Sequence, residues 1–315
     1  MAEPIVIEAE TLPGYLQIPG TDASMKLSGY VKMSIVQSFD QIGSADRFVV
    51  GTVPISGDQI GTENQANLTS RQSRLNLDVR RHTALGPLRA FIEGDFVGEG
   101  DTYRLRYAYG QFRKVLAGKT WSTFVDTQAV PEDIEFEGLN GRINVRQPQL
   151  RFFPSIGETL ELAVAVEDPN PDVMGGTGLT KIPDIVASIR RTWWNRWHLK
   201  SALVIRQIRA QPENNPSAEE KDNGWGLSFS GRVKVPLWGE DDKLLFQLNY
   251  GDGIGHYIND LGSIGGQDAV FDPVTGELKA LTAFGGYLSF QHWWSENMRS
   301  TFVAGFTDVD NFDFQ

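Results

Sequence analysis

The sequence predicts an all-β chain, an antiparallel transmembrane β-barrel, and three observations predict it. Segments of roughly ten residues alternate apolar and polar side chains. In residues 73–80, Leu75, Leu77 and Val79 share one face, while Arg74, Asn76, Asp78 and Arg80 share the other. One greasy and one wet face per strand, with charge on the wet side, fits a wall between lipid and water. The joins between segments alternate short and long, as periplasmic turns and external loops do. Finally, six of the eight tryptophans (Trp193, Trp194, Trp197, Trp238, Trp293 and Trp294) lie in or beside short joins. Amphipathic rings prefer a membrane boundary, so these six form the expected girdle at one rim.

The elements follow in order. Residues 1–24 are expected to be an irregular N-terminal segment, because Pro4, Pro13, Gly14, Pro19 and Gly20 interrupt it. The barrel is expected over 25–315. Its first strand is read at 25–37, where Met25, Leu27, Val31, Met33 and Ile35 alternate with Lys26, Ser28, Lys32 and Ser34. Twelve more are read at 72–81, 87–97, 102–112, 114–121, 147–154, 159–167, 182–192, 197–207, 224–235, 242–251, 283–292 and 299–307. The longer joins are read at 38–71, 122–146, 168–181, 208–223 and 252–282. Thirteen is odd, whereas bacterial single-chain barrels have an even count. The acidic end at 308–315 reads as the start of another external loop, so the chain is expected to lack its last strands.

Composition narrows the class. No apolar run approaches the 18 residues a membrane helix needs. The absence of cysteine removes disulfide and thiol chemistry. A net charge of −11 argues against a nucleic-acid partner. The average hides an asymmetry, because acids crowd the loops, as at 131–137, and arginines crowd the strands. Residues 1–9 carry Glu3 and Glu8 and cannot be a signal peptide, which an exported protein would have shed.

Sidedness selects the functional residues. Arg104 and Arg106 flank Leu105, with Tyr103, Tyr107 and Tyr109 on the leucine's side. The same alternation turns Lys26, Lys32, Arg74, Arg80, Arg89, Arg151, Lys200, Arg232 and Lys234 toward the lumen, with Lys119 and Arg146 near strand ends. An arginine at the middle of the lipid face would cost roughly 2–4 kcal/mol, so the sidedness is physically enforced. A guanidinium ladder concentrates anions, and its planar forks match carboxylates. Asp78, Glu93, Asp95, Glu161 and Glu167 should share that wall and pair with some of these cations.

Several stretches resemble the DcaP-like outer-membrane porins. They are residues 18–32 (IPGTDASMKLSGYVK), 70–75 (SRQSRL), 92–96 (IEGDF), 103–110 (YRLRYAYG), 116–126 (LAGKTWSTFVD) and 309–315 (VDNFDFQ). The resemblance implies a sixteen-strand barrel, a homotrimer, and passage of small anions such as dicarboxylates. It also implies a periplasmic coiled coil, for which this chain shows no heptads. Lys119 stands where that motif suggests glutamine. In general porins the third external loop folds into the lumen. The join at 122–146 holds that ordinal place and is expected to narrow the pore with Asp126, Glu132, Asp133, Glu135 and Glu137.

No catalytic residue, cofactor or metal ligand is assigned. His82, His198, His256 and His292 form no triad order, and the glycine groups at 98–100 and 251–255 lack the context of a phosphate loop. The expected partners are the lipid bilayer, lipopolysaccharide and small anions, in a bacterial outer membrane. Two other readings are an outer-membrane barrel enzyme or adhesin and a soluble β-sandwich that binds carbohydrate.

Overall fold

The computed structural model describes residues 13–55, 63–133, 137–194 and 197–315. Each of the thirteen stretches predicted as strand contains one, and no α-helix occurs among the described residues. The chain divides into two compact units.

The first unit runs to residue 48 and takes in 52–121 and 146–152. It holds β1 (Leu16–Gln17), β2 (Ala23–Tyr30), β3 (Ser34–Ser38), β4 (Gln65–Thr69), β5 (Arg74–Thr83), β6 (Gly86–Asp95), β7 (Arg104–Phe112), β8 (Val115–Trp121) and β9 (Arg146–Phe152). Spatial order is β1-β2-β5-β6-β7-β8-β9, with antiparallel neighbours. Residues directly opposite one another share a face. Leu27 lies opposite Leu77, which lies opposite Ile92, and this row is apolar and open to the outside. The Arg80–Arg89–Gln111 row lies on the other face.

Four expectations change here. The N-terminal segment is not wholly irregular, since β1 pairs with β2 and β2 starts at Ala23. The first strand ends at Tyr30, and β3 pairs instead with β4, inside the stretch read as loop. Tyr107 and Tyr109 sit on the polar face, because a register shift at Glu93/Gly94 places both Arg104 and Arg106 by Asp95 and reverses the alternation beyond them. Lys119 leaves the arginine wall, because register sets it opposite Ala108 and Pro148, on the side of Val115 and Ala117.

The second unit comprises 49–51, 122–145 and 153–315. It holds β10 (Ser155–Ile156), β11 (Leu160–Glu167), β12 (Val173–Met174), β13 (Gly176–Gly178), β14 (Asp184–Trp193), β15 (Trp197–Pro212), β16 (Glu220–Lys234), β17 (Lys243–Asp252), β18 (Ala269–Phe271), β19 (Leu278–Ala280), β20 (Thr282–Ser295) and β21 (Met298–Asp310). Its ladder runs β11-β14-β15-β16-β17-β20-β21. The stretch 208–223 is mostly ladder, pairing as far as Ala210↔Glu220. The joins at 168–181 and 252–282 contribute β12, β18 and β19, a small sheet that packs on Ile208 and Ala210.

Leu227, Phe229, Leu248, Phe284, Leu288 and Phe306 make this unit's outer face apolar and exposed. Trp225, Tyr250, Phe284 and Phe306 form a chain of ring contacts across four strands. Trp294 lies ten residues below Phe284 on β20 and is 57% exposed. At about 3.4 Å per residue and a tilt near 45°, ten residues span roughly 24 Å of membrane normal, close to the ~25 Å apolar band of such barrels. Trp194 and Trp238 are also exposed. Trp197 is not, being 3% exposed, and Arg232 lies over its ring. Trp193 is half-buried. Trp293, under Arg299, lines a cleft with Arg232, Lys243 and Glu240.

Candidate functional site

The polar face of the first unit is a ladder of cations threaded through rings. Asp78 sits between Arg80 and Arg89, each guanidinium 2.9 Å from the carboxylate, and also accepts the Tyr15 hydroxyl at 2.8 Å. Asp95 is held the same way by Arg104 at 2.9 Å and Arg106 at 2.8 Å. Glu93 lies 3.5 Å from Arg74. Each carboxylate here has more than one cation within reach, so the wall keeps a positive surplus. Among the described residues, seven arginines (74, 80, 89, 104, 106, 146 and 151) and two lysines (26 and 32) face three acids.

Aromatic faces hold several of these guanidinium planes. Arg89 lies 5.0 Å from the Phe91 ring centre and 5.8 Å from Tyr109. Arg146 stands 3.4 Å over Trp121 and 5.0 Å over Tyr107. Arg80 and Lys26 lie over Tyr15. Such stacking leaves the edges of the guanidinium available to acceptors. Arg151 donates to Gln149 at 2.8 Å and to the Trp121 carbonyl. Lys32 donates to Gln72.

In the second unit, residues 122–133 and 137–145 lie against the polar face of the strands. Asp126 is the anchor. Its carboxylate meets His198 Nε2 and the Ser230 hydroxyl at 2.8 Å each, and Arg190 at 3.4 Å. Lys200 donates to the carbonyls of Thr123 at 2.9 Å and Val125 at 2.6 Å. Glu167 accepts the Thr123 amide at 2.7 Å, and Glu161 lies 3.4 Å from Arg190. Farther along, Tyr287 donates to Ala129, Asn249 to Gly141, and the Ile143 amide to Gln247. Gly141 has φ near +74°, and a Cβ there would overlap the Phe306 carbonyl. Burial alone would raise the Asp126 carboxyl, but the His198 hydrogen bond with Lys200 and Arg190 holds it well below the usual carboxylate range.

The acids of this join take different places. Asp126 is a buried anchor. Glu132 pairs with Arg299. Asp133 lies near Arg142, and the Glu137 backbone carbonyl accepts from Arg142 at 3.4 Å. Glu135 lies outside the described residues.

A second buried network ties the long joins down. Arg206 reaches Asp184 at 3.3 Å and Asp268 at 3.1 Å, and donates to the carbonyls of Gly253 and Pro169. Tyr257 donates to Asp184 at 2.7 Å, and His256 meets Asp268 at 2.9 Å. Burial would raise the Asp268 carboxyl; Arg206 and His256 bring it down to about 2. Sequence reasoning missed Arg190, His198 and Arg206. Arg190 was within reach, since Asp184, Val186, Ser188 and Arg190 alternate as one row. The Asp126–His198 contact joins residues 72 apart, which local pattern cannot reveal.

Strands with a lipid-suited outer face, an arginine-rich polar face and a docked long join define an outer-membrane porin. The chain belongs to the DcaP outer membrane protein family, whose model matches residues 16–314. It is similar to the crystal structure of the outer membrane channel DcaP of Acinetobacter baumannii, at 22% identity and a TM-score of 0.77, over 91% of this chain and 79% of that one. It also resembles Salmonella typhi OmpF in complex with daunomycin, at 9% identity and a TM-score of 0.50, over 90% and 78% of the two chains. No curated protein sequence matches the chain.

Proposed function

We propose that the protein passes small anionic solutes by diffusion along the arginine-bearing face, and that it does so as a homotrimer. The observation that carries this reading is the positive surplus on the first unit's polar face. In a low-dielectric wall that surplus raises the local anion concentration. Asp78 and Asp95 each sit between two guanidiniums. A solute carboxylate presents the same chemistry, so it can exchange along the ladder without a deep trap, and dicarboxylates can engage two steps at once. The docked join 122–145 is proposed to reduce the free cross-section.

The test is reversal potential in a planar bilayer under a salt gradient. The wild type should give an anion-selective potential. Replacing Arg104 and Arg106 with alanine should reduce the preference, because it removes two cations and leaves the Asp95 carboxylate without them, and heat-modified gel mobility checks that the protein stays folded. Unchanged selectivity would remove these two residues from the role.

A further inference from the structure

We infer a binding site for the phosphate of a lipopolysaccharide-type glycolipid on the outer side of the β15–β16 ladder, formed by Lys181, Arg209 and Lys221. The site depends on the outer-membrane placement of the fold and not on conduction, so either reading can fail alone.

Register places Arg209 and Lys221 on the lipid side, and a shared contact with Glu219 brings Lys181 beside Arg209. Leu203 lies opposite Leu227, Ile205 opposite Trp225, Gln207 opposite Asn223, and Arg209 opposite Lys221. Ile205 and Leu227 are half exposed, so the same row continues upward into Arg209 and Lys221. Lys181 follows β13, which pairs with β15 on its other edge, and the Leu179 amide bonds the Arg209 carbonyl. Height is set by the aromatic band. Arg209 and Lys221 stand four residues beyond the Ile205–Trp225 pair. That is about 14 Å along the strand and, at a tilt near 45°, about 10 Å above the band, the depth of lipid headgroups.

Charge is the third argument. Directly opposed side chains lie about 5 Å apart, and like charges there repel. Glu219 answers part of this, bonding Arg209 Nη1 at 2.7 Å and Lys181. Arg209 Nε is used by Gln207 at 2.8 Å, which leaves its Nη2 edge for an outside acceptor. Glu220 and Asp222 lie in the opposite-facing rows of the ladder, across from Ala210 and Ile208, and Asp222 takes the Ala280 amide at 2.8 Å. Lys221 is exposed. Three cations against one carboxylate, at headgroup height and facing lipid, match a phosphate ester. The guanidinium fork offers two parallel donors and the ammoniums add point charges.

The experiment uses the full chain in nanodiscs containing phosphorylated lipid A, or the same lipid with its phosphates removed, and measures retained lipid by native mass spectrometry. Each cation near an anionic surface changes binding about fivefold. Lys221→Ala should therefore lose about fivefold, and Arg209→Ala with Lys221→Ala more. The dephosphorylated lipid should bind as weakly as the double variant. Glu219→Gln should strengthen retention, a gain that misfolding cannot imitate. Equal retention by wild type and double variant, or equal binding of both lipids, would overturn the site. Displacement by an equal concentration of inorganic phosphate would overturn it in favour of a free-anion site.

Discussion

At the scale of single residues, the firmest assignment is Asp126. Its side chain is fully buried and contacts His198, Ser230 and Arg190. Removing one partner from a buried charge cluster costs about 3–5 kcal/mol, because the others stay buried without their counter-charge. Asp126→Asn is expected to release the 122–130 stretch and leave the strands intact. Limited proteolysis should then cut within the join while heat-modified gel mobility stays that of folded protein; protection equal to wild type would refute the anchor. The sign of the pH effect follows from the depressed carboxyl. A group whose folded value lies below its unfolded value of about 3.9 stabilises above that pH and loses its contribution as pH falls toward the folded value. Asp268, brought down to about 2, acts in the same direction on the 253–281 join. Both joins should stay docked from neutral pH to about pH 4 and loosen below it. Protease protection across that range checks this, and loosening near pH 6 would contradict it.

At the scale of elements, the 122–145 join is fixed at both ends by different chemistry. Residues 123–126 are held by charge, and residues 141–143 by close backbone approach and side-chain amides. The second attachment depends on glycine, because position 141 has positive φ and no room for a Cβ. Gly141→Val should detach it, at a cost of at least 1–3 kcal/mol for the backbone strain alone. If the join narrows the pore, this variant should show noisier and higher conductance, and deletion of 127–140 should raise conductance steadily. Unchanged conductance in both would place the join outside the conducting path. The bulge in β7 shows how one extra residue redirects a strand. It gathers Arg104 and Arg106 on Asp95 and turns Tyr107 to meet Arg146. Strict alternation from Leu105 would leave that arginine with the Trp121 ring alone.

At the scale of the whole molecule, the charge distribution opposes the net charge. The chain carries −11 overall, yet the first unit's polar face is basic. Selectivity should follow the local field and not the total. The screening length falls from about 10 Å at 0.1 M salt to about 3 Å at 1 M, so the field should reach less of the solute path. The reversal potential at a fixed salt ratio should therefore shrink as both sides are raised tenfold. Selectivity independent of salt would point to tight single-site binding instead.

The sequence by itself determined the all-β class, the thirteen strands and the lipid side of most of them. A period of two is a local property, and burying charge in lipid is too costly to allow exceptions at mid-bilayer. It also marked the arginine wall, since Arg74, Arg80, Arg89, Arg104 and Arg106 sit in plain alternation. Only the tertiary structure decided which cation meets which acid, that Lys119 stands off the wall, that Tyr107 and Tyr109 stand on it, and that Trp197 is buried. Those outcomes depend on register, on one bulge and on contacts between residues far apart in the chain. The partnership of Asp126 with His198 exists only after a long join has docked on strands made later in the sequence, and no local pattern encodes the docking of a join.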